Sequence, residues 1–160
     1  MEIETLLNSD AFVVFVDETL RQQAIAFADQ LVDGGIHVKR HQLYSIPCAI
    51  QAGGRKELQE LVTKQAGKDN RNAEFWKAIQ AHISQNTLAG TTGLFHIVRT
   101  FLSENGFIQS EEETQISSEK KQIQRKNKET VNQVIDQVLR VYFEHFGCHY
   151  CFRIQRGKKP

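Results

Sequence analysis

Residues 130–146 confine the fold of this chain more than any other stretch, because their apolar side chains return at helical spacing. Val131, Val134, Ile135, Val138, Val141, Tyr142 and Phe146 form one stripe of an amphipathic helix, with polar residues filling the opposite side. Gly147 stands where a helix commonly ends in a left-handed turn, so the helix is expected to stop there. Beyond it, Cys148-His149-Tyr150-Cys151-Phe152-Arg153-Ile154 reads as a packed terminal strand over 148–155, followed by the basic tail of Arg156, Lys158 and Lys159.

The remaining elements follow from the same pattern rules. Residues 11–16, Ala-Phe-Val-Val-Phe-Val, are β-branched and aromatic and predict a central strand buried on both faces. Asp17 is placed to cap a helix in which Leu20, Ala24, Phe27, Ala28 and Leu31 share a face, and Gly34-Gly35 ends it. A second strand is expected at 36–42, parallel to the first through a right-handed crossover. A short edge strand at 47–51 is marked by Pro47. Gly53-Gly54 opens a helix carrying Leu58, Leu61 and Val62. Two more helices follow at 72–83 and about 92–105, the latter closed by Gly106.

The expected fold class is therefore α+β, a small mixed sheet with strands near 11–16, 36–42, 47–51 and 148–155 packed with four to five helices. A chain of 160 residues suits one domain. It divides into an α/β body with a helical hairpin (1–109), a polar linker or backward extension of the last helix (110–128), and a C-terminal helix–strand unit with a basic tail (129–160).

Composition narrows the function classes. Residues 11–16 are the longest apolar run, far below the roughly 20 residues of a membrane span, so no membrane partner is expected. An odd count of three cysteines and an acidic N-terminus point to a cytoplasmic protein. Net charge is +1, but its distribution is uneven. Residues 1–36 hold seven acids and one base, whereas residues 115–160 hold ten bases and four acids. Such asymmetry fits an acid-binding surface at one end or two complementary faces of one fold.

Few residues carry chemistry. Cys148 and Cys151 form a CxxC, and His145 and His149 are near enough to join them around a metal, although a second chelating pair is lacking. On a strand the two sulfurs would face opposite ways, which favours a structural role. His37 and His41 share a strand face with Lys39, which suits a polar edge better than a cation site. Gly53, Gly54, Arg55 and Lys56 join a strand to a helix and form a candidate anion site, without the spacing of a P-loop or a dinucleotide fingerprint. Arg140 and His145 lie about 140° apart on a helix and do not converge. No cofactor is implied.

Binding is thus the leading expectation. The basic C-terminal region, with Lys120, Lys121, Arg125, Lys126, Lys128, Arg153, Arg156, Lys158 and Lys159, is expected to dock on an acidic protein, or on a second copy of this chain. The alternative is a DNA- or RNA-binding regulator. It would use that tail or a helix-turn-helix-like segment at 75–108 offering Thr91, Thr92, His96 and Arg99 to a groove. Glu111-Glu112-Glu113 would repel phosphates just beyond that segment. A small hydrolase or nuclease ranks third.

Overall fold

A computed structural model describes residues 3–84, 93–109 and 117–157, and every regular element among them is helical. Helices α1 (Ile3–Leu7) and α2 (Asp10–Val14) lead through a π turn (Phe15–Leu20) into α3 (Arg21–Asp33). Helix α4 (Arg40–Ala66) is broken at Gly53 and Gly54, and α5 (Ala73–Ile83) and α6 (Leu94–Glu104) follow. Helix α7 (Ser117–Gly157) has 41 residues, about 60 Å of helix, and packs against α3, α4 and α6.

The apolar stripe of α7 is buried as its spacing requires. Val131, Val134, Val138, Tyr142 and Phe146 all lie within the core. Ala24, Phe27, Ala28 and Leu31 of α3 meet them, and Leu43, Ile46, Leu58 and Val62 of α4 fill the other side. Aromatic rings join the layers. Phe27 stacks on His82 at 3.7 Å and on Phe146 at 5.1 Å, and Phe146 stacks on Tyr150 at 5.7 Å. Two predicted helix ends are in place. Gly35 (φ 75°) and Gly106 (φ 72°) adopt left-handed backbone, and the amides of Ile36 and Phe107 donate back to Leu31 and Leu102 at 2.9 and 2.8 Å.

No strand or sheet exists among the described residues, which overturns the α+β expectation at all four places. Residues 11–16 are helical because Ser9 caps them, its hydroxyl accepting from the Phe12 amide at 3.2 Å. In a strand Phe12 and Phe15 would point to opposite faces. Three apart on a helix, both reach Phe101, at 6.3 and 4.2 Å. Val13 and Val14 are 52% and 51% exposed, so this run is not buried on two faces. Asp17 lies inside the continuous helical path and caps nothing at its start.

Residues 36–39 are extended loop, and 40–51 belong to α4, with Pro47 in its interior. Burial of Leu43 and Ile46, three apart on the face toward α7, outweighs the proline's missing amide. At 148–155 the last helix runs straight through Gly147. Tyr150 is 1% exposed and Phe152 is 54% exposed, although a strand would set both on one face. Phe143, Phe146 and Tyr150 continue the helical stripe instead. A Cβ on Gly147 would stand 3.9 Å from Leu43 Cδ2, so α4 passes beside α7 at this residue.

Candidate functional site

The two ends of α7 hold most of the cations singled out in the sequence, and they meet different surroundings. Toward the C-terminus, helical periodicity turns His149, Tyr150 and Arg153 onto α3 and the loop behind it. The Tyr150 hydroxyl accepts from the Val38 amide at 2.9 Å and donates to the Ile36 carbonyl at 3.0 Å. Burial pushes its phenol pKa up, only partly offset by the Val38 amide. Arg153 reaches two carboxylates with its fork, Asp29 at 2.5 Å and Asp33 at 2.6 Å. His149 Nε2 meets Asp29 at 2.7 Å. Partial burial raises the Asp29 carboxyl pKa, but hydrogen bonds from His149 and Arg153 outweigh it and hold it below the usual carboxylate range. Part of the charge asymmetry is therefore closed inside the chain, an acid pair from the N-terminal third against a base from the C-terminal third.

The N-terminal turns of α7 differ. Lys120, Lys121, Arg125, Lys126 and Lys128 are all exposed, and none enters an ion pair among the described residues. At their base the buried Asn127 clasps the end of the preceding segment, donating to the Gln109 carbonyl at 2.8 Å. At 100° per residue, Lys121, Arg125 and Lys128 fall within about 60° of arc, turned roughly 120° from the side defined by Asn127, Val131 and Val134. Only Ile123 interrupts this polar arm, and it is half-buried.

Gly53 and Gly54 break α4, and Gly54 (φ 67°) needs the left-handed freedom of glycine. Arg55 and Lys56 line a cleft of about 890 Å³ there, with Arg55 turned to Asp136 across 3.4 Å. Cys148 and Cys151 are free thiols one helical turn apart, which corrects the opposed placement expected of a strand. His149 is committed to Asp29, and among the described residues no group of three or more His, Cys, Asp and Glu side chains is arranged to hold a metal ion. His145 lies on the same helix, half-buried. Thr91 and Thr92 lie outside the described residues, as do Lys158 and Lys159. Helix α6 is buried along Leu94, Phe95, Ile97, Val98, Phe101 and Leu102, which leaves only a narrow strip at His96 and Arg99 to face a groove. Arg156 is exposed near the end of α7.

Two features escaped the sequence. One is the pair formed by His82 and Tyr142, whose ring nitrogen and hydroxyl share a buried hydrogen bond. Burial lowers the His82 pKa to about 4 and raises that of Tyr142. The other is the gathering of Lys39, Arg40 and Arg71 around one cleft, from segments with no spacing rule between them. Compared with known proteins, the chain matches no family model, no curated protein and no solved structure. Among the described residues no helix is long and apolar enough to cross a membrane.

Proposed function

We propose that this chain is a non-catalytic accessory protein that docks on an acidic protein surface through the first turns of α7. The observation that carries the reading is that Lys120, Lys121, Arg125, Lys126 and Lys128 are exposed and in no ion pair among the described residues, beside the internal engagement of Arg153. Three of them, Lys121, Arg125 and Lys128, range along one side of the helix and suit a complementary surface, because they steer encounter and fix register. They do not converge on a pocket as a catalytic group would.

An acidic protein is favoured over nucleic acid because the arm offers no aromatic ring for a base to stack on. For a second copy, two of the seven N-terminal acids, Asp29 and Asp33, are already held by Arg153 of the same chain, which weakens that face as a partner.

Fluorescence anisotropy with a labelled poly-glutamate peptide tests the reading, with mixed-sequence DNA and RNA as competing probes. The peptide is expected to bind at low salt and to lose at least about tenfold in affinity when Lys121, Arg125 and Lys128 are reversed to Glu. Tighter binding to DNA or RNA, falling steeply between about 50 and 200 mM salt, would transfer the site to nucleic acid. Equal peptide binding by wild type and triple variant would refute the arm as the docking surface.

A further inference from the structure

The start of α4 and the C-terminal third of α7 enclose a cleft of about 780 Å³ whose lining is one-sided in charge. Lys39, Arg40 and Arg71 contribute permanent cations, and His37 and His41 add ring nitrogens. No carboxylate lines it among the described residues. The cleft also receives the N-terminus of α4, where Lys39 is the cap residue and no side chain caps the backbone amides. Helix amides and their dipole add to the positive potential of the flanking side chains. Tyr150 fixes this geometry, because its two hydrogen bonds hold residues 36–38 against α7.

A second cavity of about 330 Å³ adjoins the first and shares Arg40, Leu43 and Cys151 with it. Its lining is mainly apolar, with Ile46 and Pro47 from α4 facing Phe143 and Phe146 from α7 across Gly147. The one carboxylate at its edge, Glu144, is turned to Arg140 at 3.0 Å. A cationic cleft adjoining an apolar groove along a shared wall suits an amphiphilic ligand, anionic at one end and hydrocarbon at the other. Two guanidinium forks and a lysine exceed what a single carboxylate engages, and they match the several acceptor oxygens of a phosphate.

We infer that these two adjoining cavities bind a single-chain alkyl phosphate, its head among Lys39, Arg40 and Arg71 and its chain in the groove over Gly147. The site lies at the opposite end of α7 from the docking arm and shares no residue with it, so either assignment can fail alone.

Calorimetric titration with octyl phosphate, kept below its micelle threshold, is the direct test, with inorganic phosphate and octanol as the split halves of the ligand. Octyl phosphate is expected to bind at least about tenfold more tightly than inorganic phosphate. Octanol should give no saturable heat. Reversing both exposed arginines, Arg40→Glu with Arg71→Glu, should cut octyl phosphate affinity by at least about tenfold while the thermal midpoint stays in place. Gly147→Leu should reduce octyl phosphate to the level of inorganic phosphate and leave inorganic phosphate unchanged. Gly147→Ala, whose Cβ meets Leu43 at an ordinary 3.9 Å, should retain binding. Equal affinity for octyl and inorganic phosphate overturns the inference, as does octanol binding as tightly as octyl phosphate. Sedimentation with phosphatidate vesicles, without binding of octyl phosphate, would replace it with a membrane surface.

Discussion

Lys121, Arg125 and Lys128 at one end of α7 and Arg153 at the other carry the same charge on the same helix. At the far end Arg153 is held by Asp29 and Asp33, and the neighbouring Tyr150 bolts the 36–38 loop. At the near end the three cations stand off the body, below which only Asn127 is buried among residues 117–130. Charge counted along a sequence is thus a poor guide to charge available at a surface. Of the C-terminal bases, Arg153 closes a long-range contact within the fold and Arg140 pairs locally with Glu144, while the arm leaves five exposed.

That contrast predicts a gradient of stability effects along α7. The largest belongs to its packed half, where Phe146→Ala should lower the unfolding free energy by about 3–5 kcal/mol in urea titration. A loss below about 1 kcal/mol would mean that this half does not carry the core. The next effect is a pH dependence. His82 has an ordinary value near 6.5 in the unfolded chain and one of about 4 when folded, so the unfolded state binds more protons between the two. Stability should be full above pH 6.5, fall as pH drops toward 4, and be lower by about 3 kcal/mol below that. Urea unfolding across this range should show the slope, and His82→Gln should flatten it. The Asp29 carboxyl acts at lower pH, because its folded value lies below 3.8 and its contribution is lost only as pH falls through it.

Smaller effects sharpen the comparison. Tyr150→Phe keeps the ring and removes the bolt, leaving the Val38 amide and Ile36 carbonyl without this partner. A loss of about 1–3 kcal/mol is expected, with faster amide exchange at Val38. Removing Arg153 should cost less than removing the Tyr150 hydroxyl, since its ion pairs are partly open to water. A double-mutant cycle with Asp29→Asn isolates that coupling. Smallest of all, alanine at Lys121, Arg125 and Lys128 together should change stability by no more than about 0.5 kcal/mol while removing binding to the acidic peptide. Substantial unfolding of this triple variant would contradict an exposed arm.

Helical stripes long enough to repeat were legible in the sequence. The α3 face of Ala24, Phe27, Ala28 and Leu31 was read correctly, as was the α7 face from Val131 to Phe146, and so were the glycine ends at Gly35 and Gly106. Each rests on a local cause, a period of 3.6 or a left-handed turn, that needs no distant partner. Residues 11–16 and 148–155 were not decided that way, because a run of six to eight mixed residues fits either period. Contacts remote in sequence chose the helix: Phe12 and Phe15 against Phe101, and Tyr150 against Ile36 and Val38. The candidate sites divide likewise. The cations of the arm are neighbours along the chain, so their clustering was visible in the sequence. Arg40 and Arg71 share a cleft only because α4 and α5 pack side by side, and Arg153 is engaged within the chain only because α3 lies beside it.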